Sequence, residues 1–107
     1  MASLHALIQD YYRHHAQLDG LRTVLHEHLA EARAELERAT RRAATRQAGR
    51  AQRRITVIEA AIERMDRGLY GTCRRCGSLI PLALLRRAPH EQHCARCADL
   101  CAARTAA

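Results

Sequence analysis

The chain has no Phe, no Trp and no Lys among its 107 residues, and only two Pro. Without large aromatic rings, and with 21 of its apolar residues being Ala, it buries little apolar surface per residue for an ordinary globular domain, so something besides a hydrophobic core must help hold it. No run approaches the roughly 18 apolar residues that a membrane span requires. Residues 1–17 contain Asp10, Arg13 and the pair His14 and His15 without a long apolar stretch, which argues against a secretory leader. The expected location is therefore the cytoplasm, without membrane attachment. Also missing are a Gly-rich phosphate loop, a Ser, His and Asp arrangement and a carboxylate pair suited to acid–base work, so no enzymatic activity is expected.

Charge of one sign is also scarce. All 18 basic residues are Arg, set against 11 acidic ones, for a formal net charge of +7. Arg suits bidentate contact with phosphate or carboxylate, but an Ala-rich, Lys-free chain is equally what a GC-rich coding sequence produces. Net charge alone establishes only that an acidic partner would be attracted.

Periodicity is clear. Leu21, Leu25, Leu29, Ala32, Leu36, Ala39 and Ala43 recur in steps of three and four, the stripe of an amphipathic helix. A second run, Ala51, Ile55, Ile58, Ile62, Met65 and Leu69, alternates steps of four and three and reads as a coiled-coil seam. The expected fold is mainly α: an antiparallel helical hairpin whose link lies around residues 44–49, with Gly49 marking the turn. At about 1.5 Å per residue the arm would be on the order of 35 Å long. Ser3 to Leu18 forms a separate candidate helix, ended by Asp19 and Gly20, whose Leu4, Leu7, Ile8, Tyr11, Tyr12 and Leu18 would cover the base of the hairpin. Tyr11 and Tyr12 are expected in the core. Gly68 fits a helix C-terminus. The first unit would be residues 1–70, with its tip at about 40–50, and the second residues 71–107.

The second unit carries the chemistry. Cys73-x2-Cys76 and Cys94-x2-Cys97 flank 17 intervening residues, a strong four-cysteine zinc spacing. In a reducing compartment such pairs point to metal before disulfide. Two knuckles supply four thiolates to one tetrahedral Zn²⁺, closing it to water and leaving a structural role. Gly77 suits the positive φ of the first knuckle, while Arg74, Arg75 and Arg96 can balance the charge of the thiolates. A short C-terminal helix is expected from Ala95. Cys101 reads as a spare thiol. His90 and His93 lie near an already complete site, and His5, His14, His15, His26 and His28 form no metal motif.

The stretch Ile62-Glu-Arg-Met65-Asp-Arg-Gly68-Leu-Tyr70-Gly71-Thr-Cys73-Arg-Arg-Cys76-Gly77 resembles the signature of the DksA/TraR zinc-finger proteins, and Ile80, Pro81, Leu85 and Pro89 continue the likeness between the knuckles. The resemblance runs from about Ala51 to Cys97 and implies a bacterial transcription regulator that binds core RNA polymerase directly. Its coiled-coil arm would enter the secondary channel and act at the catalytic centre, often together with guanosine tetraphosphate. Family members carry an acidic tip with an Ala nearby. Ala43 can match that Ala, but no Asp or Glu occurs from Arg38 to Ile58, where Arg38, Arg41, Arg42, Arg46, Arg50, Arg53 and Arg54 stand instead. Leu84 and Arg87 also depart from the residues usual at their positions.

The leading expectation is a polymerase-binding regulator whose basic tip, around Arg38, Arg41, Arg42, Ala43, Arg46 and Arg50, meets nucleic-acid or nucleotide phosphates. The alternative is a zinc protein that binds nucleic acid nonspecifically through the Arg-rich hairpin. A solvated Arg face and self-association through the Ala-rich seam also remain open.

Overall fold

The computed structural model describes residues 3–106, apart from the side chains of residues 10, 11 and 101–106. The expectations for the Tyr11 ring and the Cys101 thiol lie outside the described residues. Helix α1 spans Leu4–Arg41, α2 Thr45–Asp66, α3 Leu82–Arg87 and α4 Ala95–Ala106. The antiparallel α1–α2 hairpin makes an elongated molecule of 60 × 34 × 21 Å. Among the described residues the only β pairing is an isolated antiparallel bridge between Thr72 and Leu79.

Two expectations about α1 are corrected. The helix does not break at Asp19 and Gly20 but runs through both for 38 residues. Gly in a helix costs about 1 kcal/mol relative to Ala, and here the buried Leu18 and Leu21 on either side hold the helix against the core. Nor does the first part of α1 cover the base. Leu4, Leu7, Ile8 and Tyr12 are exposed and, among the described side chains of this part, only Leu18 reaches the core, because this part of the helix extends past the end of the hairpin. Ser3 caps α1, its hydroxyl oxygen accepting from the Ala6 N–H at 3.2 Å, as a first helical turn requires.

The turn is also displaced from its expected place. Gly49 lies inside α2, and the chain reverses at Arg42, Ala43 and Ala44. The Ala43 N–H donates to the Thr40 carbonyl at 3.1 Å and the Ala44 N–H to the Ala39 carbonyl at 2.8 Å. This pair of bonds is the Schellman closure, which places its C′ residue in the left-handed region. That residue is Ala43, with φ of 54°, the one non-Gly position of positive φ among the described residues. The end of α2 repeats the closure with Gly68, at φ of 75°, its N–H donating to Met65 while that of Leu69 donates to Arg64.

The seam changes character along the arm. Towards the base, Leu21, Leu25, Leu29, Ile58 and Met65 are buried; towards the tip, the buried seam residues are Ala39 and Ala51. Burial of Leu or Ile side chains contributes about 1.5–3 kcal/mol each, so cohesion concentrates at the base. There Tyr70, Ile80 and Leu85 join Leu18 and the hairpin residues in one cluster, so arm and cysteine-bearing segment share a core. Cross-hairpin ion pairs link Arg22 to Asp66 at 2.7 Å, Arg33 to Glu59 at 3.6 Å, and Arg54 to Glu31 and Glu35 at 3.7 and 3.8 Å.

Candidate metal centre and its helical arm

The metal centre begins where α2 stops. Arg64, in the last turns of α2, donates through Nη2 to the Leu69 carbonyl at 3.1 Å, the Thr72 carbonyl at 2.8 Å and Thr72 Oγ1 at 2.9 Å. Thr72 Oγ1 donates in turn to the Leu69 carbonyl at 2.6 Å. One charged side chain thus fixes the direction in which the chain leaves the helix, since bonds from a charged donor are among the stronger ones. Sequence reasoning passed over Arg64, because a helical Arg in an Arg-rich chain carries no signal of its own. Next to this junction the Tyr70 hydroxyl donates to the Pro89 carbonyl at 2.8 Å, tying the lead-in to the far end of the inter-knuckle segment. Burial raises the Tyr70 pKa to about 12, because the phenolate would lose its hydration.

Backbone bonds shape the first knuckle. The Cys73 N–H donates to the Ser78 carbonyl at 2.7 Å and the Gly77 N–H to the Cys73 carbonyl at 2.9 Å. Gly77 holds φ of 76°, as its type at this position foretold. The second knuckle is fastened to the first by the Arg74 N–H, which donates to the Gln92 carbonyl at 2.7 Å. Glu91 Oε1 accepts from the backbone N–H groups of Gln92 and His93 and shapes the approach to Cys94. Cys94 directly precedes α4, and Cys97 lies in its first turn.

The sulfurs of Cys73, Cys76, Cys94 and Cys97 all lie within 4.8 Å of one another. Cys76 and Cys94 are 3.8 Å apart, which is the edge of a tetrahedron with metal–sulfur bonds of about 2.3 Å. The donor set fits zinc: four soft thiolate donors and no carboxylate or open position among them. The thiols pull apart electrostatically. Burial works against ionising Cys73, but the N–H groups of Cys76, Cys94 and Arg75 outweigh it and lower its pKa to about 5. Hydrogen bonding from Ser78, whose Oγ is 2.8 Å from the sulfur, lowers Cys76. Burial and the neighbouring sulfurs push Cys97 up to about 12. With all four sulfurs this close together, four thiolates would repel one another, and a cation between them removes that repulsion.

Of the three arginines expected to balance this charge, Arg75 and Arg96 border the depression beside Cys76, Cys94 and Cys97, whereas Arg74 turns towards α2. His90 and His93 stay outside the sulfur cluster. Burial lowers the His90 pKa, the charges of His28 and Arg54 adding to the effect and Glu91 opposing it.

At the other end of the molecule the structure gathers the expected tip residues around the turn. Arg38, Arg41, Arg42, Ala43, Arg46 and Arg50 are all exposed there. Arg41 pairs with Glu37 at 3.3 Å. Arg38, Arg42, Arg46 and Arg50 have no carboxylate partner among the described residues.

Fold and site together define a class, a helical hairpin mounted on a closed four-cysteine zinc finger. Residues 68–99 match the model of the prokaryotic dksA/traR C4-type zinc finger, so this segment is a finger of that type, its four clustered cysteines the donors for a structural zinc ion. The fold is similar to that of transcription factor DksA2 from Pseudomonas aeruginosa, with a TM-score of 0.71 at 24% identity over 86% of this chain and 88% of that one. An uncharacterized protein of Aquifex aeolicus (strain VF5) is 43% identical over 42 residues, which are 39% of this chain and 29% of that protein. No described helix is long and apolar enough to cross a membrane.

Proposed function

We propose that this protein is a cytoplasmic transcription regulator that binds core RNA polymerase directly and inserts its helical arm into the secondary channel. The observation that carries the reading is the mounting of the arm: a two-helix rod joined, through Arg64, Tyr70 and one shared core, to a finger of the dksA/traR type. The rod's 22-residue second helix is about 33 Å long, a shape suited to reaching a recessed site. The structural likeness to a transcription factor supports the same reading.

Cys73, Cys76, Cys94 and Cys97 are the zinc ligands. When bound, the ion supplies cross-linking and charge neutralisation, with no open position for catalysis. The chain's own residues do the rest. Arg64 sets the direction in which the chain leaves the arm for the finger, Tyr70 locks the inter-knuckle segment, and the Leu and Ile seam holds the two helices together below the Ala-lined tip. The role is one of binding, and guanosine tetraphosphate would act at the polymerase complex.

Co-purification of the zinc-loaded protein with core RNA polymerase at low salt tests this reading, and absence of a complex there overturns it.

A further inference from the structure

The tip of the arm carries an unbalanced charge pattern. Glu31, Glu35 and Arg38 on α1 and Arg42 at its C-cap follow one another at steps of four, three and four and so continue one stripe, while Arg46, Arg50 and Arg54 share a stripe of α2. The two stripes lie on the same flank of the hairpin, since Arg54 bridges to both Glu31 and Glu35. The pairings of Arg22 with Asp66 near the base and of Glu35 with Arg54 further along place the antiparallel helices in nearly the same register at both levels. Carried towards the tip, that register sets Arg38 opposite Arg50 and Arg42 opposite Arg46. Below them on this flank Arg54 meets Glu31 and Glu35; at these two levels Arg is set against Arg, all four exposed and without an ion-pair partner among the described residues.

The pattern is one-sided. The opposite flank of the tip is a shallow depression lined by Ala39, Thr40, Ala43, Ala44, Thr45 and Ala48. A charge run kept only for hydration has no reason to leave one flank neutral while stacking like charges on the other. Guanidinium groups facing one another repel, and anions placed between them turn that repulsion into bidentate attraction. The two levels are about 6 Å apart, one helical turn, and the surface is open, so it suits an extended chain of phosphates more than a single enclosed anion. With no aromatic side chain at the tip to stack a base, contact would be independent of base identity.

The geometry points to a phosphate clamp formed by Arg38, Arg42, Arg46 and Arg50 across one flank of the arm's tip, which holds the backbone of a single nucleic-acid strand. This deepens the proposed function by naming the partner of the tip, and it rests on that reading only for where the strand is met.

The test uses the zinc-loaded full chain and a labelled oligouridylate followed by fluorescence anisotropy across a salt series. Wild type is expected to bind with a log–log salt slope of about −3, four phosphates at about 0.7 each. Arg42→Gln with Arg46→Gln removes two contacts, so the slope falls by about 1.4 and affinity at low salt drops more than tenfold. Arg86→Gln with Arg87→Gln, the same charge change on the exposed end of α3, leaves the slope unchanged and affinity within about threefold. Helix content by circular dichroism confirms that both variants fold. Equal losses in the two variants, no binding by wild type at low salt, or equal binding of duplex overturns the clamp. So does displacement of the oligouridylate by tripolyphosphate at matched phosphate concentration. These outcomes leave polymerase co-purification untouched, so the two readings fail separately.

Discussion

Ala43 and Gly68 occupy the same place in two copies of one motif, each the left-handed residue that closes a helix of the hairpin, at φ of 54° and 75°. Gly68 takes this conformation without steric penalty; Ala43 does so at a cost of roughly 1 kcal/mol, the Cβ crowding the following carbonyl. The strained copy is the one at the tip of the arm.

Ala43→Gly is therefore expected to stabilise the protein by about 1 kcal/mol, and Gly68→Ala to destabilise it by a similar amount. No heavy atom lies within 4 Å of a Cβ built on Gly68, so the second effect is purely one of backbone conformation. Denaturant unfolding of the two variants checks the opposite signs.

Tyr70→Phe removes the donor to the Pro89 carbonyl and leaves a buried acceptor unpaired, a loss of about 1–3 kcal/mol. The alkaline limb of stability should change as well. A phenol whose pKa rises from 10 in the unfolded chain to about 12 in the folded one binds more protons when folded. Its contribution is whole below pH 10 and is lost as the pH climbs to about 12. Stability of the wild type should fall across that interval more steeply than that of Tyr70→Phe. The ultraviolet absorbance of tyrosinate should show a late phase that the variant lacks.

Removing the metal should unfasten the finger before the arm. Leu18, Tyr70, Ile80 and Leu85 share the core with the hairpin base, so chelation is expected to lower the melting temperature and to cost helix content mainly in α3 and α4. Acidification below the pKa of the thiolates should do the same, because protons compete with the metal for sulfur. Cobalt(II) should bind at one ion per chain with the intense visible absorption of tetrahedral thiolate coordination, and Cys97→Ser should weaken it. Circular dichroism and metal titration read both effects.

Leu25→Ala should cost about 2–5 kcal/mol, since Leu25 is fully buried at the wide part of the seam. Ala51→Leu should cost about 1–3 kcal/mol for the opposite reason, overpacking a seam that admits only small side chains. Chemical denaturation of each variant measures the two costs.

The parts of this architecture that follow from short-range pattern were legible in the sequence. Two Cys-x2-Cys knuckles announce a metal site because their geometry is local, and the Leu and Ile period of the two stripes announces the paired helices. The junctions were not. Gly20 and Gly49 looked like breaks, yet Gly20 sits inside α1 between the buried Leu18 and Leu21, and Gly49 sits inside α2. The real reversal uses Ala43, a residue type that gives no sign of a left-handed turn. Arg64 was hidden for a similar reason, since only the fold reveals that one of 18 arginines folds back on Leu69 and Thr72. The register that sets Arg38 opposite Arg50 likewise depends on where the turn falls.

The most direct test of the central claim is a photo-cross-linker placed at Thr45, exposed beside the turn, in a complex reconstituted with core RNA polymerase at low salt. The account predicts co-migration with the polymerase and cross-links confined to the interior of the secondary channel. A chain that does not co-migrate, or that cross-links only to the outer surface of the enzyme, contradicts it.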